Sequence, residues 1–262
     1  MAPSGDVVVA RSLTKRFRDQ VAVDRLDLVV PAGARVGLLG PNGAGKTTTL
    51  LMLLGAISPD AGTIDLVGER LPRHRSRALG RVGFVAGYLP LPENLEVREA
   101  LMIFAGFYGL RRPKPIVDAA IERFGIEHLA DQQSRELSSG QRTLVSIVKS
   151  TLHEPALLVL DEPTASLDPA VAGRVREALL GIHREQGTAL LVTSHNMREV
   201  EILCERVVIL SHGGIAADGT AEEVAAAFDT DDLEDAFLQI AARSRTTAGA
   251  EDGPAAPGVW RP

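Results

Sequence analysis

The strongest constraint on this chain is the run Gly40-Pro41-Asn42-Gly43-Ala44-Gly45-Lys46-Thr47, which fits the pattern G-x-x-x-x-G-K-[ST]. The continuous apolar stretch Val36-Gly37-Leu38-Leu39 precedes it and reads as a buried strand. A helix is predicted from about Thr47 to Leu54. In that order, strand, Gly-rich turn and helix point backbone N–H groups inward around phosphate oxygens, and the helix N-terminus adds its dipole. Lys46 supplies a point charge for the β and γ phosphates, and Thr47 a hydroxyl for Mg²⁺. The run is a nucleotide site.

The surrounding pattern says what frame carries this loop. Val7 to Ala10 and Leu26 to Val30 read as short strands, the second stopped by Pro31 and Gly33. Apolar strands are also expected at 156–160, 188–192 and 206–210. Val171, Val175, Leu179 and Ile182 recur at helical spacing after Pro169. Strands alternating with helices indicate an α/β fold with a mostly parallel sheet. The stretch from about 88 to 150 breaks the rhythm, with three helical patterns (97–108, 115–124 and 140–152) and no strand between them. A helical subdomain inserted into the α/β core is expected there.

Composition narrows the class. Of 262 residues, 45% are hydrophobic and 24% charged, which excludes global disorder. The longest run without Lys, Arg, Asp or Glu is 47–59, too short to span a bilayer. Residues 1–6 lack the basic and apolar regions of a secretory signal. A lone cysteine, Cys204, cannot form an internal disulfide. The net charge is −6, yet residues 218–262 hold 10 acidic against 3 basic side chains. The remaining chain is nearly neutral, so a uniformly basic nucleic-acid surface is not expected. Beyond about Arg243 the composition turns rich in Ala, Gly, Pro and Thr, and a disordered tail is expected over 244–262.

Two further motifs add chemistry. Leu157-Leu158-Val159-Leu160-Asp161-Glu162 is an apolar strand ending in two carboxylates. Asp161 falls where a carboxylate would meet the metal. Strand alternation sends Glu162 the opposite way, suited to orient or deprotonate an attacking water. Leu137-Ser138-Ser139-Gly140-Gln141 opens a helix just ahead of that strand. The ordered set GPNGAGKT, LSSGQ, LLVLDEPTASLDP and TSHN closely resembles the nucleotide-binding domain of ABC (ATP-binding cassette) ATPases over about residues 6–242.

The resemblance implies an α/β P-loop NTPase fold with a RecA-like core, an antiparallel β subdomain and a helical subdomain, occupying residues 1–243. It implies ATP and Mg²⁺ as ligands. Phe17 matches the aromatic that stacks on adenine. Gly40, Pro41, Asn42, Gly43, Ala44, Gly45, Lys46, Thr47 and Thr48 match the phosphate loop, with Thr47 and Asp161 on the metal side. Glu162 matches the catalytic carboxylate, and His195 the switch histidine near the γ-phosphate. Ser166, Leu167 and Asp168 match the D-loop. Two such domains pair head to tail, so Leu137, Ser138, Ser139, Gly140 and Gln141 would contact the ATP of a second cassette. Separate membrane-spanning permease subunits are the other implied partner, which puts the chain at the cytoplasmic face of the membrane.

Within the family, Leu233-Glu234-Asp235-Ala236-Phe237-Leu238 resembles the ending common in drug, lipid and polysaccharide exporter ATPases, so an exporter subunit is the preferred reading. Apolar residues of 101–110 could line a groove for a permease helix, or simply core. The alternative is a soluble ATPase clamping ribosomes or DNA. Such clamps usually carry two cassettes, a coiled-coil insertion or basic linkers, and none is evident here. Six basic residues, Arg70, Arg73, His74, Arg75, Arg77 and Arg81, form a cluster better read as a solvated face than as an anion-binding surface. The other five histidines show no ligand-like clustering and are expected at the surface or at caps.

The chain departs from the family at two places. Ser139 replaces a glycine of LSGGQ. Ala86-Gly87 stands where the family has Pro-Gln, so a side chain that touches Mg²⁺ and the permease is missing. Substituting Gly87→Gln should change the ATPase rate or its stimulation by permease. If both are unmoved, the loop does not couple through this position.

Overall fold

The computed structural model describes residues 5–18, 20–86, 91–165 and 167–248, the side chains of 244–248 apart. Two long N-terminal strands, β1 (Asp6–Phe17) and β2 (Gln20–Pro31), form a hairpin. They are followed by β3 (Arg35–Leu39), α1 (Lys46–Leu53), β4 (Ala61–Leu66), β5 (Glu69–Arg70), α2 (Arg75–Leu79) and β6 (Val82–Ala86). Three helices come next: α3 (Val97–Phe107), α4 (Pro113–Arg123) and α5 (Ser139–Thr151). The chain then alternates through β7 (Leu157–Asp161), α6 (Pro169–Gln186), β8 (Ala189–Thr193), α7 (Met197–Leu203) and β9 (Arg206–Ser211). It ends with β10 (Gly214–Gly219), α8 (Ala221–Ala227) and α9 (Leu233–Ala248).

Two sheets result. The antiparallel one has the order β2-β1-β4-β5, and the larger one the order β10-β9-β3-β8-β7-β6. In the larger sheet every pairing is parallel except that of the edge strand β10 with β9. The expected α/β core, antiparallel β subdomain and helical insertion are all present. Among the described residues between 91 and 150, the only ladder pairing is one bridge, Glu96 with Gln133.

Alternation explains why the central strands read as unbroken apolar runs. In β7, Leu157 and Val159 join the core shared with the antiparallel sheet and α1, while Leu158 and Leu160 join the core under the helices. β8 divides in the same way, Leu191 on one side and Leu190 and Val192 on the other. A parallel sheet covered on both faces needs apolar residues at every position. The core under the helices reaches the helical insertion through Leu101, Ile121 and Val145, so the insertion shares its packing with the sheet.

Helix ends follow their local chemistry. The Ser138 hydroxyl accepts the Gln141 N–H at 3.2 Å while Gln141 accepts the Ser138 N–H at 2.8 Å, a reciprocal box that starts α5. Asp168 caps α6, accepting N–H bonds from Ala170 and Val171 at 3.1 Å, with Pro169 in the first turn. The helix α9 runs to Ala248, five residues past the boundary expected from composition; residues 249–262 lie outside the described set, Trp260 with them.

Five of the six groups in the Arg-rich cluster, all but Arg73, are tied down locally. Arg70 pairs with Asp65 at 2.7 Å, and Glu69 takes both Arg77 (3.1 Å) and His74 (3.3 Å). Arg75 and Arg81 donate to the carbonyls of Leu54 and Val67. With these charges paired or bound to backbone, the solvated-face reading fits. One histidine departs from expectation: His153 is half-buried, stacked on Tyr108 with ring centroids 3.9 Å apart.

Gly83 fixes how closely α5 lies on β6. A Cβ there would sit 2.3 Å from the Ser150 carbonyl oxygen and 2.5 Å from Leu158 Cδ2. Gly83→Ala should therefore destabilise the fold by about 1–3 kcal/mol, read as a lower melting temperature. An unchanged midpoint would mean that α5 can move outward freely.

Candidate functional site

The site is assembled at the carboxyl ends of three neighbouring strands. The chain leaves β3 into the loop at 40–45, leaves β7 at Asp161 and leaves β8 at Thr193. Adjacent strands lie about 4.8 Å apart, so β3 and β7, with β8 between them, bring their loops within about 10 Å. This is the position at which open α/β sheets bind ligands. A cleft of about 460 Å³ opens there, lined by Phe17, Gln20 and Ala22 from the hairpin, Asn42 to Thr48 from the loop and α1, and Asp161, Glu162 and His195.

The phosphate loop has the build of an anion cradle. Gly45 is the N-cap of α1 with φ +101°, and no side chain caps this end. The first N–H groups of the helix have no carbonyl one turn back to bond. Gly45 needs its glycine twice over, for the positive φ and because a Cβ would meet the Ala22 carbonyl oxygen at 2.5 Å. Lys46 Nζ donates to the carbonyls of Gly40 at 2.5 Å and Pro41 at 3.1 Å, which pins the amine across the loop. Burial lowers its pKa, opposed by the charges of Glu162 and Asp161.

The two carboxylates do not diverge as strand alternation predicts. β7 stops at Asp161, and Glu162 takes φ +53°, so the pleat ends one residue early and both residues line the same cleft. Glu162 N–H donates to the Thr193 carbonyl at 3.1 Å and to Thr193 Oγ1 at 3.2 Å. Thr193 Oγ1 in turn donates to Asp161 Oδ1 at 2.5 Å. Thr193 thus orients both acids, a role that spacing alone did not reveal. The only signal was its place at the end of an apolar strand opposite Asp161.

His195 meets Glu162 directly. Its Nε2 lies 3.1 Å from Glu162 Oε1, and its N–H donates to Oε2 at 3.3 Å. Burial pushes the Glu162 carboxyl above the ordinary carboxylate range; His195 opposes the shift, while Asp161 and Glu199 reinforce it. Phe17, at the end of β1, is 49% exposed and belongs to no core, with Lys15 Nζ 5.5 Å from its ring centroid. An exposed aromatic at the lip of this cleft has a face free for stacking.

Other predicted site residues lie elsewhere. None of Leu137, Ser138, Ser139, Gly140 and Gln141 lines the cleft. Leu137 is buried as an anchor, while Ser138 and Ser139 are exposed at the start of α5. Asp168 is a helix cap and does not line the cleft either. The expectations for Ser166, Gly87 and Tyr88 fall outside the described residues.

The residues present suit a magnesium nucleotide. No group of three His, Cys, Asp or Glu side chains among the described residues could hold a metal alone. Asp161, Glu162 and the Thr47 hydroxyl offer oxygen ligands beside an ammonium and an uncapped helix start. Mg²⁺ is commonly held by one or two carboxylates together with phosphate oxygens, so this donor set fits.

A parallel sheet that delivers a Gly-rich loop, a strand-end acid pair and a histidine into one cleft defines a P-loop nucleoside triphosphatase. The family model described as ABC transporter matches residues 23–165. The Nod factor export ATP-binding protein I of Burkholderia lata is 40% identical over 211 residues, covering 80% of this chain and 69% of that one. The protein of the same name from Ralstonia nicotianae is 39% identical over 226 residues, covering 84% and 69%. The ATP-binding subunit of an ABC transporter superposes with a TM-score of 0.82 at 27% identity, covering 89% of this chain and 99% of that one. This chain belongs to the ABC transporter family and is one of its ATP-binding cassettes.

Lys46→Ala removes the charge at the centre of the loop and should abolish measurable ATP binding by calorimetry. Retained affinity would remove the loop from the site.

Proposed function

We propose that the chain is the ATP-hydrolysing subunit of a membrane exporter. The observation that carries this reading is the meeting of Lys46, Asp161, Glu162 and His195 in one cleft on a cassette whose relatives are named export ATP-binding proteins. No helix among the described residues is long and apolar enough to cross a membrane, so in this reading transport is carried by separate permease subunits. The chain would work at their cytoplasmic face. Ile103 and Phe107, one turn apart on α3 and both exposed, are the apolar surface offered to them.

In the chemistry proposed, the loop N–H groups and Lys46 hold the terminal phosphates, and Phe17 stacks on the base. Thr47 and Asp161 would hold Mg²⁺, which when bound neutralises phosphate charge. Glu162 orients water for in-line attack and draws off its proton, while His195 fixes the Glu162 carboxylate. Phosphoryl transfer asks mainly for such positioning and charge. The start of α5, with Ser138 and Ser139 exposed and Gly140 partly so, lies outside its own cleft, which supports the reading that it completes the site of a second cassette. Hydrolysis would then follow closure of two copies.

Glu162→Gln keeps the shape of the site and removes the base. It should leave ATP binding intact and lower turnover by about 10² to 10⁴, with a closed dimer accumulating on gel filtration in ATP. Turnover at the wild-type rate would remove Glu162 from the mechanism.

A further inference from the structure

Glu162 and His195 both stand on loops, and something must hold those loops to one another. Glu162 adds a second demand, because a non-glycine residue at φ +53° persists only where its surroundings over-determine it. Glu199, in the first turn of α7, meets both needs. It is 3% exposed, and its two carboxylate oxygens are shared between the loops. Thr164 Oγ1 donates to Oε1, and Ser194 Oγ donates to Oε2 at 2.9 Å. Thr164 follows Glu162 by two residues, and Ser194 immediately precedes His195. Both hydroxyl residues are buried, at 8% and 3% exposure. Ser194 Oγ also accepts the Asn196 N–H at 3.1 Å, and Asn196 Oδ1 accepts the Glu199 N–H at 3.2 Å, so the clasp is closed on itself. No Lys, Arg or His among the described residues forms an ion pair with Glu199. A buried carboxylate held only by hydroxyls is a costly choice for stability alone.

We propose that Glu199 is a positioning residue for ATP hydrolysis, its carboxylate clasping the Glu162 loop to the His195 loop through Thr164 and Ser194. The inference rests on the roles given above to Glu162 and His195.

The test is steady-state ATPase kinetics of the full chain with Mg²⁺ and ATP, with melting curves for each variant. Glu199→Ala frees both loops and should lower kcat about tenfold or more, given that a 1 Å misplacement can cost about 10²-fold. The KM for ATP should stay within about twofold, since the phosphate loop is untouched. Glu199→Gln keeps the size and one accepting oxygen, and its amide NH2 can donate to a hydroxyl that turns to accept, so kcat should recover most of the loss. A Glu199→Ala kcat within about twofold of wild type, a KM that rises as kcat/KM falls, or a Glu199→Gln kcat no better than that of Glu199→Ala would each overturn the proposal. Should Glu199→Ala fail to fold, Thr164→Val and Ser194→Ala each open one side of the clasp, and wild-type kcat in both would overturn it equally. Glu162→Gln run in parallel separates the two levels. If that variant is inactive and Glu199→Ala is normal, only the clasp fails; if Glu162→Gln is fully active, the reading of the site fails with it.

Discussion

The register of three parallel strands carries this structure. Gly37 of β3 pairs with Val192 of β8, and Val192 with Leu160 of β7. One step further along, Thr193 stands beside Asp161. That row decides where the phosphate loop, the acid pair and the histidine leave the sheet. A slip of one residue would turn each side chain to the other face of its strand, burying Asp161 or exposing Leu160. The register is protected because both faces of the sheet are packed, against the antiparallel sheet on one side and the helices on the other. Stability of the core and geometry of the site are therefore one constraint.

Charge is concentrated where that row ends. Asp161, Glu162 and Glu199 are three acids in a small volume, answered by one amine, Lys46, and by His195. Burial acts on both signs, lowering the Lys46 pKa and raising that of Glu162. Hydroxyls do much of the compensating. Thr193 serves Asp161, and Thr164 and Ser194 serve Glu199. Such neutral donors hold a carboxylate in place without cancelling its charge, and Lys46 bonds to the loop carbonyls of Gly40 and Pro41.

Much of this was legible in the chain. The central strands announce themselves as apolar runs because both of their faces are buried, and the Gly-rich loop announces its own turn. β4, β5 and β10 were not legible. Ala61-Gly62-Thr63 and Ala217-Asp218-Gly219 belong to half-exposed antiparallel ladders, where the pattern of a strand is faint. Within the site, Lys46, Asp161 and Glu162 were readable from motif and strand pattern, and His195 only through the family resemblance. Thr193 and Glu199 were not, since each acts on a residue more than 30 positions away and nothing local marks the contact. The expected divergence of Asp161 and Glu162 failed for a backbone reason, a left-handed residue that side-chain periodicity cannot reveal.

That left-handed residue has a consequence for how the protein would respond to selection. An L side chain at φ +53° costs about 1–2 kcal/mol relative to a glycine in the same place. Glycine or asparagine at position 162 would suit the turn better than glutamate does. A search for heat-resistant variants, with no assay of turnover, would drift towards Glu162→Gly and return a sturdier protein without its strand-end carboxylate. Thermal tolerance and chemistry pull against each other at this one backbone angle.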